Sequence, residues 1–129
     1  MNSVVLKRSA IDEWGIYVEA GAIVLGFKYL NGAPIQSLIV QIEENSSGLV
    51  EDELSGMYVE IDEMARFYRA VREFKYDEAS GCIRLALNPG AYKDVGVLQI
   101  EVPNQLCADE QQLLRKLAAA YDSSLRRRN

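Results

Sequence analysis

The sequence predicts an α+β fold, in which one long C-terminal helix packs on an antiparallel β-sheet of about six to seven strands. Two observations carry this prediction. Over roughly the first hundred residues, apolar and polar side chains alternate in short runs separated by turn residues, as in half-buried strands. From Ala108 onward, large apolar side chains recur every four residues, which is typical of an amphipathic helix. A chain of 129 residues fits one domain, so the predicted domain spans residues 1–129.

The N-terminal half is expected to form the first strands of the sheet. Gly21 lies between two alternating runs and suits a tight hairpin. Residues 31–34, with the sequence Asn-Gly-Ala-Pro, are a strong turn signal. In chain order, the strands expected in this half are residues 4–7, 16–20, 23–29 and 37–43.

The C-terminal half is expected to contain the remaining strands and both helices. A short helix between the late strands would have Asn88 as its N-cap, Pro89 as its first residue and Gly96 as its stop. The long helix begins near Ala108 and carries acidic residues in its first turn, which complement the helix dipole. The apolar stripe of this helix is Leu113, Leu117, Tyr121 and Leu125. The strands expected here are residues 57–62, 71–76, 82–87 and 97–102, whereas residues 63–69 fit either a helical turn or a loop.

A run of acidic side chains between Glu43 and Glu63 is the most informative feature of the sequence. This stretch contains eight Asp or Glu residues and no Lys or Arg. Such a field repels nucleic acid and anionic membranes, and it attracts cations and basic proteins. By contrast, residues 64–129 carry eleven basic side chains and eight acidic ones. The acidic members of the run are Glu43, Glu44, Glu51, Asp52, Glu53, Glu60, Asp62 and Glu63.

Features of the common enzyme classes are absent from the sequence. The chain has no histidine, which is the commonest acid–base catalyst and metal ligand near neutral pH. It has no Walker, G-x-S-x-G or G-x-G-x-x-G motif. Cys82 and Cys107 have no histidine to activate them and are expected to be reduced packing residues. We therefore expect no catalytic residue, no metal and no cofactor.

The composition also bears on the location and the partners of the protein. No segment reaches the roughly 20 apolar residues that a membrane span needs. The first residues contain no secretory apolar run, so a cytoplasmic protein with no membrane partner is expected. Nucleic acid is an unfavourable partner for an acidic chain, because phosphate contacts dominate such binding. The sequence does not indicate an oligomeric state, and assembly through the acidic half of one copy and the basic half of another is an alternative.

The acidic run admits several interpretations. It can be a solvated surface, a docking face for a basic protein, or a hard-cation site that uses Glu60, Asp62 and a loop carboxylate. No calcium-loop spacing occurs, which disfavours the cation site. A small-molecule-binding or hydrolytic domain that uses Glu60 and Asp62 is the main alternative to protein binding. Internal pairing with Arg66, Arg69 and Arg72 would instead neutralise part of the run.

Two aromatic residues near the N-terminus are further candidates for an interface. Trp14 and Tyr17 flank a short segment that contains Asp12 and Glu13. An exposed aromatic side chain among acids is a good interface anchor. A buried Trp14 would simply belong to the core, which is the more common fate of tryptophan.

The order of elements resembles a known family. Residues 56–62 read Gly-Met-Tyr-Val-Glu-Ile-Asp, and they are followed by the hairpin arm 82–87, the element 89–96, the strand 97–102 and a leucine-rich helix. With the strands 23–29 and 37–41, these features resemble the immunity protein ten family of bacterial polymorphic-toxin systems. The sequence departs from the family at residues 63–74, which contain no glycine and are rich in arginine and aromatic residues. If this region selects the partner, the departure implies a different toxin.

The resemblance implies a single-domain cytoplasmic antidote of the contact-dependent growth inhibition type. Such a protein binds the C-terminal domain of a cognate toxin and blocks it without catalysis. A nuclease toxin must bind a polyanion and is often basic, so an acidic inhibitor gains electrostatic complementarity. The residues expected to contact the toxin are Glu51, Asp52, Glu53, Tyr58, Glu60, Asp62, Glu63 and Tyr68.

Overall fold

The computed structural model describes residues 2–43, 56–63, 65–68 and 70–127, and it describes only the backbone of residues 65–68 and 125–127. This part of the chain forms nine strands and one long helix, and a short 3-10 turn follows the first strand at Arg8–Ala10. The strands are β1 (Asn2–Leu6), β2 (Ile11–Glu19), β3 (Ala22–Tyr29), β4 (Ser37–Glu43), β5 (Tyr58–Ile61), β6 (Ala65–Tyr68), β7 (Val71–Asp77), β8 (Cys82–Leu87) and β9 (Val95–Glu101), and the helix is α1 (Ala108–Arg127).

The strands form two sheets rather than one. The order is β1-β9-β8-β7 in the four-stranded sheet and β2-β3-β4-β5-β6 in the five-stranded sheet. The α+β class is confirmed, but the prediction of one antiparallel sheet of six to seven strands is wrong. The four-stranded sheet is mixed, because β1 pairs in parallel with β9 and places Leu6 beside Ile100. Periodicity identifies strands but does not say which strands pair, and this pairing joins segments more than 90 residues apart in the sequence.

The prediction of a short helix between the late strands is also wrong. Residues 88–94 form successive turns, in which the Ala91 N–H donates to the Asn88 carbonyl and the Val95 N–H donates to the Tyr92 carbonyl, each at 3.1 Å. Gly90 has a φ of 80° and Lys93 a φ of 45°. These left-handed residues interrupt the backbone geometry that a right-handed helix requires.

One hydrophobic core lies between the two sheets and α1. The inner faces contribute buried side chains such as Leu25 and Val40 from the five-stranded sheet and Leu85 and Leu98 from the four-stranded sheet. The predicted helix is confirmed, and it contacts β7, β2 and β4. Its buried face contains Leu114, Leu117 and Tyr121. Within the described residues, no helix combines the length and apolar character that crossing a membrane requires.

The hairpin of β2 and β3 sets the geometry of the five-stranded sheet. Ala20 and Gly21 form its two-residue turn with φ values of 51° and 82°, so the predicted hairpin at Gly21 is confirmed. Two positive φ values in such a turn match the twist of the adjoining strands. The resulting register places Glu19 opposite Ala22, and it continues along both strands to Gly15 opposite Gly26.

Candidate functional site

The face of the five-stranded sheet that points away from the core is the candidate site. Alternate residues of a strand point to opposite faces. Because Leu25, Val40 and Val59 lie in the core, their neighbours on β3, β4 and β5 point outward. The strand registers arrange these outward residues in rows that cross the sheet.

Four rows make up this surface, which we call the open face. The first row is Glu19, Ala22 and Glu43; the second is Tyr17, Val24, Gln41 and Tyr58; the third is Gly15, Gly26, Ile39 and Glu60; and the fourth is Glu13, Lys28 and Ser37. The backbone of β6 extends the second row to Tyr68 and the third to Arg66. The open face therefore combines residues from strands that are distant in the sequence.

Aromatic side chains mark two positions of the second row. Tyr17 on β2 is 49% exposed, and it is the aromatic member of the exposed large apolar side chains among the described residues. Tyr58 on β5 is half-buried, and its hydroxyl donates a hydrogen bond to the Glu60 carboxylate at 3.2 Å. Trp14 points to the opposite face and stacks on Phe27 with ring centroids 6.1 Å apart, so the core interpretation of Trp14 is confirmed.

The third row contains a pair of glycines that face each other across β2 and β3. Neither Gly15 nor Gly26 has a positive φ, so the backbone does not require glycine at either position. A Cβ atom built on Gly15 meets no atom within 4 Å, and one built on Gly26 meets only the Leu38 carbonyl oxygen at 4.0 Å. The two residues form a flat floor, which we call the glycine floor. Glycine within a strand often marks a place where another molecule approaches the backbone closely.

The described charges of the open face are mainly negative. Glu13, Glu19, Glu43 and Glu60 contribute four carboxylates, and Lys28 contributes one ammonium group. Lys28 Nζ lies 3.7 Å from the Glu13 carboxylate, and both side chains are 70% exposed, so solvent weakens this ion pair. A basic surface would therefore complement the open face.

Asp62 lies beyond the end of β5, so the strand expected over residues 57–62 is too long and Asp62 does not continue the row of Tyr58 and Glu60. β5 ends at Ile61, and Asp62 has a left-handed φ of 53°. Its Oδ1 accepts hydrogen bonds from the backbone N–H groups of Gln36 at 2.7 Å and Ser37 at 3.0 Å, and its Oδ2 accepts one from the Tyr92 hydroxyl at 3.1 Å. The carboxylate thus holds the loop before β4.

The other residues expected to contact a toxin, and the arginines expected to pair with the acidic run, are not described as part of the open face, except for the backbone of Tyr68 and Arg66. Glu63 is exposed and has a left-handed φ of 63°. Glu51, Asp52, Glu53 and the side chain of Tyr68 lie outside the described residues, as do the side chains of Arg66 and Arg69. Arg72 is exposed, and its Nε donates a hydrogen bond to the Leu87 carbonyl at 3.3 Å.

A concave region lies near the N-terminal end of α1. This cleft of about 570 Å³ is lined in part by Arg8, Tyr76, Glu78 and Gln111. The Tyr76 hydroxyl donates to Gln111 Oε1 at 2.6 Å, and Glu78 accepts hydrogen bonds from Gln111 and, at 2.8 Å, from Arg115 Nε. The hydrogen bond from Arg115 lowers the pKa of Glu78, and burial raises the pKa of Tyr76. These groups engage one another, and their evident role is to fasten α1 to the β7–β8 hairpin.

No family model, curated protein or solved structure matches this chain. The open face is consequently the main basis for a functional proposal. Cys82 and Cys107 are both free, but only Cys82 is half-buried; Cys107 is exposed, so the expectation of a packing residue is wrong for Cys107. Among the described residues, no three cysteine or carboxylate side chains come together as a metal site would require.

Sequence reasoning identified Tyr58 and Glu60, and it singled out Tyr17 and Glu13 as a possible interface segment. It missed Gly15, Glu19 and Gly26, which complete the open face on β2 and β3. The hairpin centred on Gly21 contained the signal, because a two-residue turn fixes the register and hence places Gly15 opposite Gly26.

Proposed function

We propose that this chain is an immunity protein that binds a basic toxin domain, of the nuclease class, through the open face and blocks it stoichiometrically. The protein would act in the cytoplasm, without catalysis, cofactor or metal. The observation that carries the proposal is an outward sheet face that combines an exposed tyrosine, a glycine floor and a majority of carboxylates around the buried Ala22 and Val24.

The composition of the open face supports protein binding. Tyrosine is enriched among the few residues that dominate binding energy, because it buries a large area and also donates a hydrogen bond. Tyr17 and Tyr58 lie in one row with Val24 and Gln41 between them. Around this row, carboxylates form the polar rim that protein interfaces commonly have.

The charge of the open face supports a basic partner. An acidic inhibitor accelerates its encounter with a cationic toxin and disfavours association with acidic proteins. Glu51, Asp52 and Glu53 follow Glu43 in the sequence and increase the acidity of this region of the chain. A second copy of the chain would present the same acidic face, so electrostatics disfavours self-association through it.

The direct experiment is calorimetric titration of this protein with the toxin-like C-terminal domain encoded immediately upstream of its gene, at low and high salt. We expect a 1:1 complex of nanomolar or tighter affinity, because matched inhibitors of this kind must outcompete the substrate of the toxin. The affinity should weaken in high salt because exposed charges are screened. Absence of binding, or absence of such a domain, would overturn the proposed function.

A further inference from the structure

We propose that an extended, basic segment of the partner adds to the five-stranded sheet as a further strand beside β2. This inference rests on the proposed function, and it names both the edge that takes the partner and the conformation in which the partner binds. Three features of β2 support it: a free row of backbone groups, exposed apolar side chains beside that row, and carboxylates along the same strand.

The outer edge of β2 presents backbone groups that no strand of the sheet pairs with. Among the described residues, β2 is the end strand of its sheet and pairs with β3 alone. The Glu19 carbonyl and the Ala22 N–H close a two-residue turn, so these two residues form a hydrogen-bonded pair. Because such pairs alternate along antiparallel strands, the N–H and C=O groups of Trp14, Ile16 and Val18 point to the free edge. Within the described part of the chain, no turn or loop backbone bonds to them.

The half of β2 next to the turn is accessible to another molecule. The helix α1 contacts this strand, but Tyr17 is 49% exposed and Val18 is 47% exposed. These neighbours point to opposite faces of the sheet, so a strand that paired here would contact both. Edge strands are commonly protected by proline, lysine or a bulge, and an unprotected edge is a template for strand addition. Between Trp14 and Glu19, β2 contains no proline or lysine, and its bulge is confined to the start of the strand.

The charge of β2 selects a basic occupant. The charged residues of this strand are Asp12, Glu13 and Glu19, which are all exposed acids. Glu13 and Glu19 point to the open face and are six residues, or about 20 Å, apart. An added strand has the same spacing, so Lys or Arg at two of its positions six residues apart would lie across from these carboxylates. A second copy of β2 would instead bring three further carboxylates to the edge, which disfavours self-pairing.

Amide hydrogen exchange of the ¹⁵N-labelled chain tests the backbone pairing residue by residue. In the free chain, the outward amides of Trp14, Ile16 and Val18 should exchange faster than those of Gly15 and Tyr17, which bond to β3. In the complex with the upstream-encoded toxin domain, exchange of the outward amides should slow on the order of 100-fold, because each gains an acceptor on the added strand. Gly15 and Tyr17 are internal controls and should change less.

A pair of substitutions at Val18 separates the backbone donor from the side chain. Val18→Pro removes the outward N–H and leaves the hydrogen bonds between β2 and β3, and edge strands tolerate proline at such positions. The matched control, Val18→Ala, loses the side chain but keeps the N–H. Affinity for the toxin domain should be about tenfold lower for Val18→Pro than for Val18→Ala. The thermal midpoint shows whether Val18→Pro is folded, and if it is not, the exchange measurement on the wild type decides.

The outcomes separate this inference from the proposed function. If the wild-type chain does not bind the toxin domain, the proposed function fails and this inference fails with it. If the chain binds while the outward amides keep their free exchange rates, strand addition alone is overturned. If these amides are already protected in a free chain that sediments as a dimer, a second copy occupies the edge and the basic occupant is overturned.

The same measurement on the labelled toxin domain tests the chemistry of the added segment. One segment should show protection at alternate amides, and it should carry Lys or Arg at two positions six residues apart. A protected segment without these basic residues would overturn the assignment of a basic occupant.

Discussion

Tyr29 is the residue whose burial has the clearest consequence for stability. Within the described part of the chain, its hydroxyl is buried without a hydrogen-bond partner, and its ring stacks on Phe27 at 5.8 Å. Leaving a buried hydroxyl unsatisfied costs about 1–3 kcal/mol. We expect Tyr29→Phe to raise the free energy of unfolding by about 1 kcal/mol at neutral pH, because the ring remains and the unpaired group is removed. Urea unfolding measures the change, and clear destabilisation would mean that the hydroxyl has a partner in solution.

The same hydroxyl predicts a pH dependence at alkaline pH. Burial raises the pKa of Tyr29 above its ordinary value. Above that ordinary value, the unfolded chain releases the proton before the folded chain does, so stability falls as pH rises. One such group contributes about 1.4 kcal/mol of loss per pH unit until the folded pKa is reached. Tyr29→Phe should lose less stability than the wild type between pH 9 and pH 11, both values being roughly one unit from the ordinary tyrosine pKa. An identical loss in both proteins would contradict this assignment.

Asp62 is predicted to stabilise the fold through its three accepted hydrogen bonds. Hydrogen bonds to a charged group contribute about 1.5–3 kcal/mol, so Asp62→Ala should lower the free energy of unfolding by about 2–3 kcal/mol. Asp62→Asn should cost less, because asparagine tolerates the left-handed backbone and retains one acceptor oxygen. The neighbouring exposed residue supplies the control, Glu63→Ala. Equal effects of Asp62→Ala and Asp62→Asn would contradict this prediction, because the acceptor oxygen that asparagine retains would then contribute nothing.

At the scale of elements, the β2–β3 hairpin contains a correctable strain. Ala20 adopts a φ of 51° in the turn, where a left-handed residue with a Cβ costs roughly 1–2 kcal/mol. Asparagine followed by glycine is the preferred sequence for a two-residue turn with both φ values positive. Ala20→Asn should therefore raise the free energy of unfolding by about 1 kcal/mol in thermal or urea unfolding. Gly21→Ala is the opposite control and should lower stability, because Gly21 has a φ of 82°.

The elements also indicate how far local sequence determines this fold. Alternation alone predicted β4 and β8 with the bounds that the structure has, because their apolar residues point into the core. It could not predict the parallel pairing of β1 with β9, which depends on contacts between segments distant in the sequence. Asn88 and Pro89 indicated the start of a helix. The left-handed backbone of Gly90 and Lys93 is incompatible with a right-handed helix, so the segment forms turns instead.

At the scale of the whole molecule, charge is predicted to control the rate and salt dependence of toxin binding. Changing Glu51, Asp52 and Glu53 to lysine should weaken binding and reduce its salt dependence, because the triple variant removes attraction to a basic partner. The control with the same net charge changes three acidic residues that do not belong to the open face, Asp94, Asp109 and Asp122, to lysine. If the two triple variants bind alike, net charge rather than the acidic run governs association.

The candidate site could be only partly predicted from the sequence, because strand pairing brings its residues together from separate segments of the chain. The acidic run drew attention to Tyr58 and Glu60, which do lie on the open face. Other residues of the open face, including Gly15, Gly26 and Tyr17, belong to β2 and β3. They lie beside Tyr58 and Glu60 only because the strands pair. In the sequence, Asp62 continues the alternation of Tyr58 and Glu60. In the structure β5 ends at Ile61, and the Asp62 carboxylate accepts a hydrogen bond from the Gln36 N–H in the loop before β4.

The central claim is that the open face binds the toxin, and nuclear magnetic resonance tests it most directly. The ¹⁵N-labelled chain is titrated with the upstream-encoded toxin domain, and the amide shifts are mapped onto the fold. The largest changes should fall on β2, β3 and β4, including Gly15, Tyr17, Gly26 and Ile39. Changes confined to β1, β8, β9 or α1 would contradict the claim and place the interface on another surface of the molecule.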